Sequence, residues 1–195
     1  MKRKVSNFEE VKALPAFPSL LEELTPTMVE CLNTHGQIGI NSIAGFEHDH
    51  TMAIGSLIKD WDNLKIITTG AVTEYEIPDK TEKLHEQDFT VLCNIFRNTA
   101  FEEIYNILNK KYIIGRLRLF KSEPKTCLSW HTDKGPSRLH YPIKTQPGCF
   151  MVIEDEVKHM EQDKWWITDT SKPHSAFNGS KESRIHLVAV IRGLR

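Results

Sequence analysis

The stretch LSWHTDKGPSRLH, Leu128 to His140, decides how this chain is read. A strand-like run ends in a histidine and an aspartate two residues apart, His131 and Asp133. A Lys-Gly-Pro-Ser turn follows, and then an arginine two residues before another histidine, Arg138 and His140. Residues i and i+2 of a strand point to the same side, about 6.5–7 Å apart. His131 and Asp133 are therefore expected to aim at one point, and the rest of the chain must say what shares it.

From Ile113 onward the pattern is strand, turn, strand. Strands are expected in IIGRLRLFK, TCLSWHTD, RLHYPIKT, GCFMVIED, KWWITDT, PHSAFNG and SRIHLVAVI, separated by KGPS, QPG, KHMEQD and NGSKES. Short strands at a spacing of roughly ten residues predict a sandwich or jelly roll. Before Ile113, capping-box patterns introduce helical periodicity: Ser6 with Glu9, Ser19 with Glu22, and Thr99 with Glu102. In TAFEEIYNILNKKY, Phe101, Ile104, Tyr105, Leu108 and Tyr112 share one helical face. GQIGINSIAG and NLKIITTGAV read as short strands, and PDKTEKLHEQD as an exposed loop. The expected fold is mainly β, one domain over residues 1–195. Residues 1–112 supply helical and short-strand support packed on one sheet, and residues 113–195 form the jelly-roll core. The mouth of such a barrel is a common place for a small-ligand site.

Composition narrows the function. The 195 residues are 39% hydrophobic and 26% charged, with a formal net charge of −1. Nucleic-acid binding normally needs an excess of Lys and Arg, so none is expected. Cys31, Cys93, Cys127 and Cys149 are scattered and form no CxxC pair, which argues against a zinc knuckle and for buried thiols in a reducing compartment. The opening MKRKVSNFEEV has no apolar stretch behind it, so a secretory signal is not expected. No run approaches the roughly 18 apolar residues of a membrane span. A cytoplasmic location is expected. The phosphate-binding glycine motifs GxGxxG and GxxxxGK[ST] and the GxSxG nucleophile motif do not occur.

A lone His-x-Asp says little, so a third ligand has to come from another strand. His174, in TSKPHSAFNG, begins the penultimate strand. Two neutral imidazoles and one carboxylate form the facial triad of mononuclear non-haem iron(II), with coordination positions left open. A structural zinc site is more often closed by four protein ligands. His174 alone fits a ligand and a hydrogen-bonded core histidine equally. Arg184 opens the last strand, RIHLVAVI, where Ile185, Leu187, Ala189 and Ile191 face one way and Arg184, His186, Val188 and Val190 the other. An arginine entering such a face needs an anion. A bidentate carboxylate matches its planar fork, whether on a ligand or on an internal Asp or Glu. His48-Asp49-His50 lies in a polar turn with no third partner, and His159 with Glu161 lies in the polar VKHMEQDK turn. Both read as surface. Trp165 and Trp166 alternate, one ring toward the core and the other toward the helices.

The segments SWHTD, RLHYPI, GCFMVIED, WWITDT, PHSAFNG and RIHLVAVI together resemble the aspartyl/asparaginyl β-hydroxylase branch of the iron(II)/2-oxoglutarate oxygenases. The resemblance covers the C-terminal 80 or so residues well and the N-terminal half only in outline. It implies a double-stranded β-helix core, with iron(II) held by His131, Asp133 and His174. It also implies 2-oxoglutarate gripped by Arg184, with Arg138 and His140 lining that pocket, and O2 as oxidant. Some members lack the acidic ligand. This chain keeps Asp133, which brings it closer to the amino-acid hydroxylases. The implied reaction is hydroxylation of an amino-acid side chain, free or peptidyl, such as Asp, Asn or Pro. The rival readings are a cupin-like metal-dependent isomerase or hydrolase, which would not need Arg184 or Arg138 as carboxylate clamps, and a non-catalytic jelly-roll binding module, whose mark would be a broken triad.

Overall fold

The computed structural model describes residues 6–55, 65–69, 72–76, 84–133 and 137–195. Most of the KGPS turn and residues 78–83 of the expected loop lie outside them. The chain opens with β1 (Phe8–Glu10), α1 (Pro26–His35), β2 (Gln37–Gly39) and β3 (Asn41–Ile43). The paired strands β4 (Lys65–Thr69) and β5 (Val72–Glu76) precede a 3-10 turn at Glu86–Asp88, then β6 (Phe89–Leu92) and α2 (Ala100–Lys111). The remaining strands are β7 (Tyr112–Ser122), β8 (Thr126–Cys127), β9 (Arg138–Lys144), β10 (Cys149–Ile153), β11 (Glu156–Lys158), β12 (Trp166–Thr168), β13 (His174–Asn178) and β14 (Arg184–Leu194).

Two antiparallel sheets carry the architecture. The larger runs β1-β12-β9-β14-β7-β2 and the smaller β11-β10-β13-β8. This is the mainly β jelly roll with few helices that the strand spacing predicts. The long strand β14 is central, paired with β7 on one side and β9 on the other. Its alternation divides the protein. Ile185, Leu187, Ala189 and Ile191 join Leu117, Leu119, Leu139 and Tyr141 in the main core, under Met28 and Leu32 of α1 and Phe101, Ile104 and Leu108 of α2. Arg184, His186 and Val188 face the other way, into a cavity shared with the smaller sheet. Pro142, which has no N–H to donate, sits where the β9–β14 register shifts.

Several expectations need correction. Ser6 and Glu9 do not start a helix. Phe8–Glu10 is an edge strand paired with β12, and the Ser6 hydroxyl donates to Glu156 Oε1 at 2.5 Å. Residues Ser19–Glu22 form a turn, and helix begins only at Pro26, where Thr25 accepts from the Met28 N–H and proline suits the first turn. The strand expected over Thr126–Asp133 stops at Cys127 and survives beyond it as a single bridge at His131. The helix after Thr99 forms but ends at Lys111, so that Tyr112, read on its face, opens β7. Its cap accepts from Phe101 N while Glu102 reaches back to Asn98 N at 2.6 Å. Trp165 joins the main core. Trp166 packs with Phe8, Met151, Met160 and Ala176 in a small second cluster, instead of against the helices.

One buried side chain clamps the N-terminal strands to the barrel. Asn41 is fully buried, donates from Nδ2 to Phe89 O and Gly115 O (both 2.8 Å), and accepts from Leu117 N at 2.7 Å. Asn41→Ala strips three buried backbone groups of their partners, each worth about 1–3 kcal/mol. Denaturant unfolding should show a loss of roughly 3 kcal/mol or more by that reckoning. A loss under about 1 kcal/mol would mean that water or rearrangement replaces the clamp.

Candidate active site

The site is assembled by backbone pairing. His131 and His174 form an isolated antiparallel bridge, the N–H of each donating to the carbonyl of the other at 3.1 and 2.9 Å. Asp133 N donates to Thr170 O at 2.9 Å. His131 Nδ1 lies 2.7 Å from Ser129 O, and His174 Nδ1 lies 2.9 Å from Lys172 O. A carbonyl only accepts, so each Nδ1 carries the proton and each Nε2 keeps a lone pair for a metal. Burial lowers the pKa of His174, keeping it in the neutral form a metal requires. Its Nε2 lies 3.9 Å from Asp133 Oδ2. The ligand atoms of His131, Asp133 and His174 all fall within 4.8 Å of one another, a group close enough to share one ion.

These three residues line a cavity of about 100 Å3 between the two sheets. From the larger sheet come Arg118 on β7, Arg138 and His140 on β9, and Arg184 and His186 on β14. This wall is rich in donors short of acceptors. Arg184 is buried, gives one hydrogen bond to Ser122 Oγ at 3.3 Å, and has no partner for Nε. Both ring nitrogens of His140 and Nε2 of His186 are buried without partners. Burial, helped by Arg184 and Arg138, pushes His140 down to about 3, and burial holds His186 well below its ordinary value. Both rings are thus neutral at physiological pH. Arg118 donates to Gln37 Oε1 at 2.7 Å and is lowered to about 9 by burial and by Arg116, so it remains a cation. Arg138 reaches Asp133 Oδ2 at 3.1 Å and Glu86 Oε2 at 3.0 Å, and so touches the carboxylate of the triad itself.

The six residues expected at the site, His131, Asp133, His174, Arg184, Arg138 and His140, therefore meet at one cavity. His48 and Asp49 stay in a turn, where Asp49 caps Thr51. His159 is half-buried, with Nδ1 2.8 Å from Cys149 O. Sequence reasoning left out Arg118 and His186. Both carried a signal: Arg116 and Arg118 alternate with the core leucines of β7, and His186 shares a strand face with Arg184.

The family model described as aspartyl/asparaginyl β-hydroxylase matches residues 30–192. The chain is 33% identical over 76 residues to L-proline cis-4-hydroxylase of Rhizobium meliloti (strain 1021), over 36% of this chain and only 27% of that protein. In structure it is similar to a 2OG-Fe(II) oxygenase family oxidoreductase from Burkholderia pseudomallei, at 13% identity, TM-score 0.43, 53% of this chain and 61% of the other. It is also similar to the viral collagen prolyl hydroxylase vCPH of Paramecium Bursaria Chlorella virus-1, at 11% identity, TM-score 0.43, 97% and 91%. Since the family match spans most of its length, this chain belongs to the aspartyl/asparaginyl β-hydroxylase family. Among the described residues no helix is long and apolar enough to cross a membrane.

The buried neutral histidines leave a pH signature. His140 titrates near 6.5 in the unfolded chain and at about 3 in the folded one. Between those values the unfolded state binds a proton that the folded state does not, so stability falls as pH drops from 6.5 toward 3. From about pH 7.5 to about pH 5.5, wild type should lose roughly 1.4 kcal/mol more than His140→Gln in urea unfolding. Equal losses would show that His140 accepts a proton in the folded protein.

Proposed function

We propose that this protein is an iron(II)- and 2-oxoglutarate-dependent hydroxylase acting on an amino-acid side chain, free or within a peptide. One observation carries the reading: two Nε2 lone pairs and a carboxylate converge at a cavity whose far wall holds a buried arginine with an unpartnered Nε. An open three-ligand set of this kind suits iron(II), and the donor-rich wall suits a dicarboxylate. When bound, the metal and 2-oxoglutarate supply oxidative decarboxylation with O2, giving succinate, CO2 and an oxygen atom for an unactivated C–H bond.

The chain's own residues bind, orient and shield. The carbonyls of Ser129 and Lys172 hold the two imidazoles in the metal-binding tautomer. Arg184 takes the distal carboxylate of 2-oxoglutarate, while His140 and His186 add hydrogen bonds without adding charge. Arg138, on the same wall, holds Asp133. Met151, Met160 and Ala176 form an apolar floor that keeps water from the reacting centre. Arg118 has a neutral partner and an aromatic neighbour, Phe120, so its charge is available to a substrate carboxylate. That favours a substrate bearing a carboxylate, in keeping with the likeness to an L-proline hydroxylase.

Succinate release from 2-oxoglutarate with added iron(II), across a panel of amino acids and peptides, tests the activity. His131→Ala and His174→Ala should abolish it while the protein stays folded. Arg184→Lys keeps the charge but loses the two-point grip. It should weaken 2-oxoglutarate binding by roughly ten- to a hundredfold, as loss of one charge-assisted bond implies, and leave metal affinity unchanged. Equal loss of both affinities would make Arg184 a structural ion-pair residue, and no loss of either would place the co-substrate elsewhere.

A further inference from the structure

Glu86 belongs to no part of the site described so far, yet it is tied to it. The carboxylate sits between two buried guanidinium groups, each side chain only 8% exposed. Glu86 Oε1 accepts from Arg116 Nη2 at 2.8 Å, and Oε2 from Arg138 Nη2 at 3.0 Å. The same Arg138 Nη2 lies 3.1 Å from Asp133 Oδ2. Arg116 is anchored in turn by Nη1 on Gly55 O at 2.8 Å and Ala53 O at 3.3 Å. A line of alternating charge, Arg116, Glu86, Arg138, Asp133, therefore runs from a backbone anchor to the acidic member of the metal-ligand cluster.

Local sequence builds this placement. His85 N donates to Asp88 Oδ2 at 3.0 Å and Asp88 N to His85 O at 2.9 Å, closing the 3-10 turn around Glu86. Phe89, fully buried, pins its end. Opposite, β7 carries Gly115, where a Cβ would run into the Glu86 carbonyl, so glycine is what lets the turn lie flush on the strand.

We propose that Glu86 is a positioning residue for Asp133: by sharing Arg138 with it, Glu86 leaves that carboxylate aimed at the histidines and able to serve a cation. This rests on the reading of His131, Asp133 and His174 as metal ligands. The reason is charge balance. Along this line two guanidinium groups alternate with two carboxylates, and Glu86 supplies one of the two negative charges. With Glu86 neutralised, Arg138 loses one counter-charge that it shares with Asp133, and a buried charge that loses a counter-charge is costly. Asp133 is then drawn to Arg138 and away from an incoming divalent ion. Glu86 thus acts on the metal through Asp133 and touches neither metal nor substrate.

The test is cobalt(II) binding to the metal-free protein without co-substrate, read by calorimetry and by the ligand-field spectrum of the bound ion. Glu86→Gln should weaken cobalt(II) binding by about tenfold or more, the usual effect of losing a partner behind a metal ligand. Glu86→Asp, which keeps the charge on a shorter arm, should fall between it and wild type, and it decides the question if Glu86→Gln does not fold. In an Asp133→Ala background the Glu86 change should cost nothing further, because coupled residues are non-additive. Wild-type affinity in both Glu86 variants, or the same loss with and without Asp133→Ala, overturns the proposal. His174→Ala separates the two readings. If it binds cobalt(II) as wild type does, the metal assignment itself fails, and this proposal with it.

Discussion

Two backbone hydrogen bonds exchanged between His131 and His174 are the constraint on which the site depends. They join the short segment after β8 to the start of β13 and bring two imidazoles far apart in sequence to ring centroids 4.2 Å apart. Each ring is then turned by a carbonyl two residues before it, Ser129 for His131 and Lys172 for His174. The local chain thus fixes both the position and the protonated nitrogen of each imidazole. Asp133 has less local support, a single backbone bond to Thr170, and its side chain leans on Arg138.

The opposite wall solves a different problem. Under the proposed function it must receive an anion without becoming so positive that the fold is strained. The two-faced strand β14 puts apolar residues under the helices and Arg184 and His186 into the cavity. Neutral imidazoles surround the charged guanidinium, because burial makes their protonation costly. The imidazoles therefore add donors without adding fixed charge. Of the other cations, Arg116 and Arg138 pair with Glu86 and Arg138 also with Asp133, while Arg118 has the neutral partner Gln37.

Much of this was legible in the sequence because it rests on short-period patterns. Alternation along RIHLVAVI told core from cavity, and the His-x-Asp spacing with His174 and Arg184 pointed to the residues that meet there. What escaped depends on partners distant in the chain. Ser6 and Glu9 match a capping pattern, but pairing with β12 makes that stretch a strand, and three residues carry too little propensity to signal it. Glu86 looks like any charged loop residue, and only the fold brings Arg116 and Arg138 to it. The break after Cys127 was hidden for a similar reason. A run of strand-forming residues continues through it, while the backbone turns away to make its single bridge. The proposed ion and co-substrate come from the family resemblance, since no periodicity carries them.

The central claim is that His131, Asp133, His174 and Arg184 form one site holding iron(II) and 2-oxoglutarate together. Anaerobic titration of the protein with both, followed by visible absorption, tests it most directly. The account predicts a charge-transfer band that needs iron(II), 2-oxoglutarate and protein all present, saturates at a single equivalent of each, and is lost in His131→Ala. No band at saturating concentrations, or a band of equal strength in His131→Ala, would contradict it.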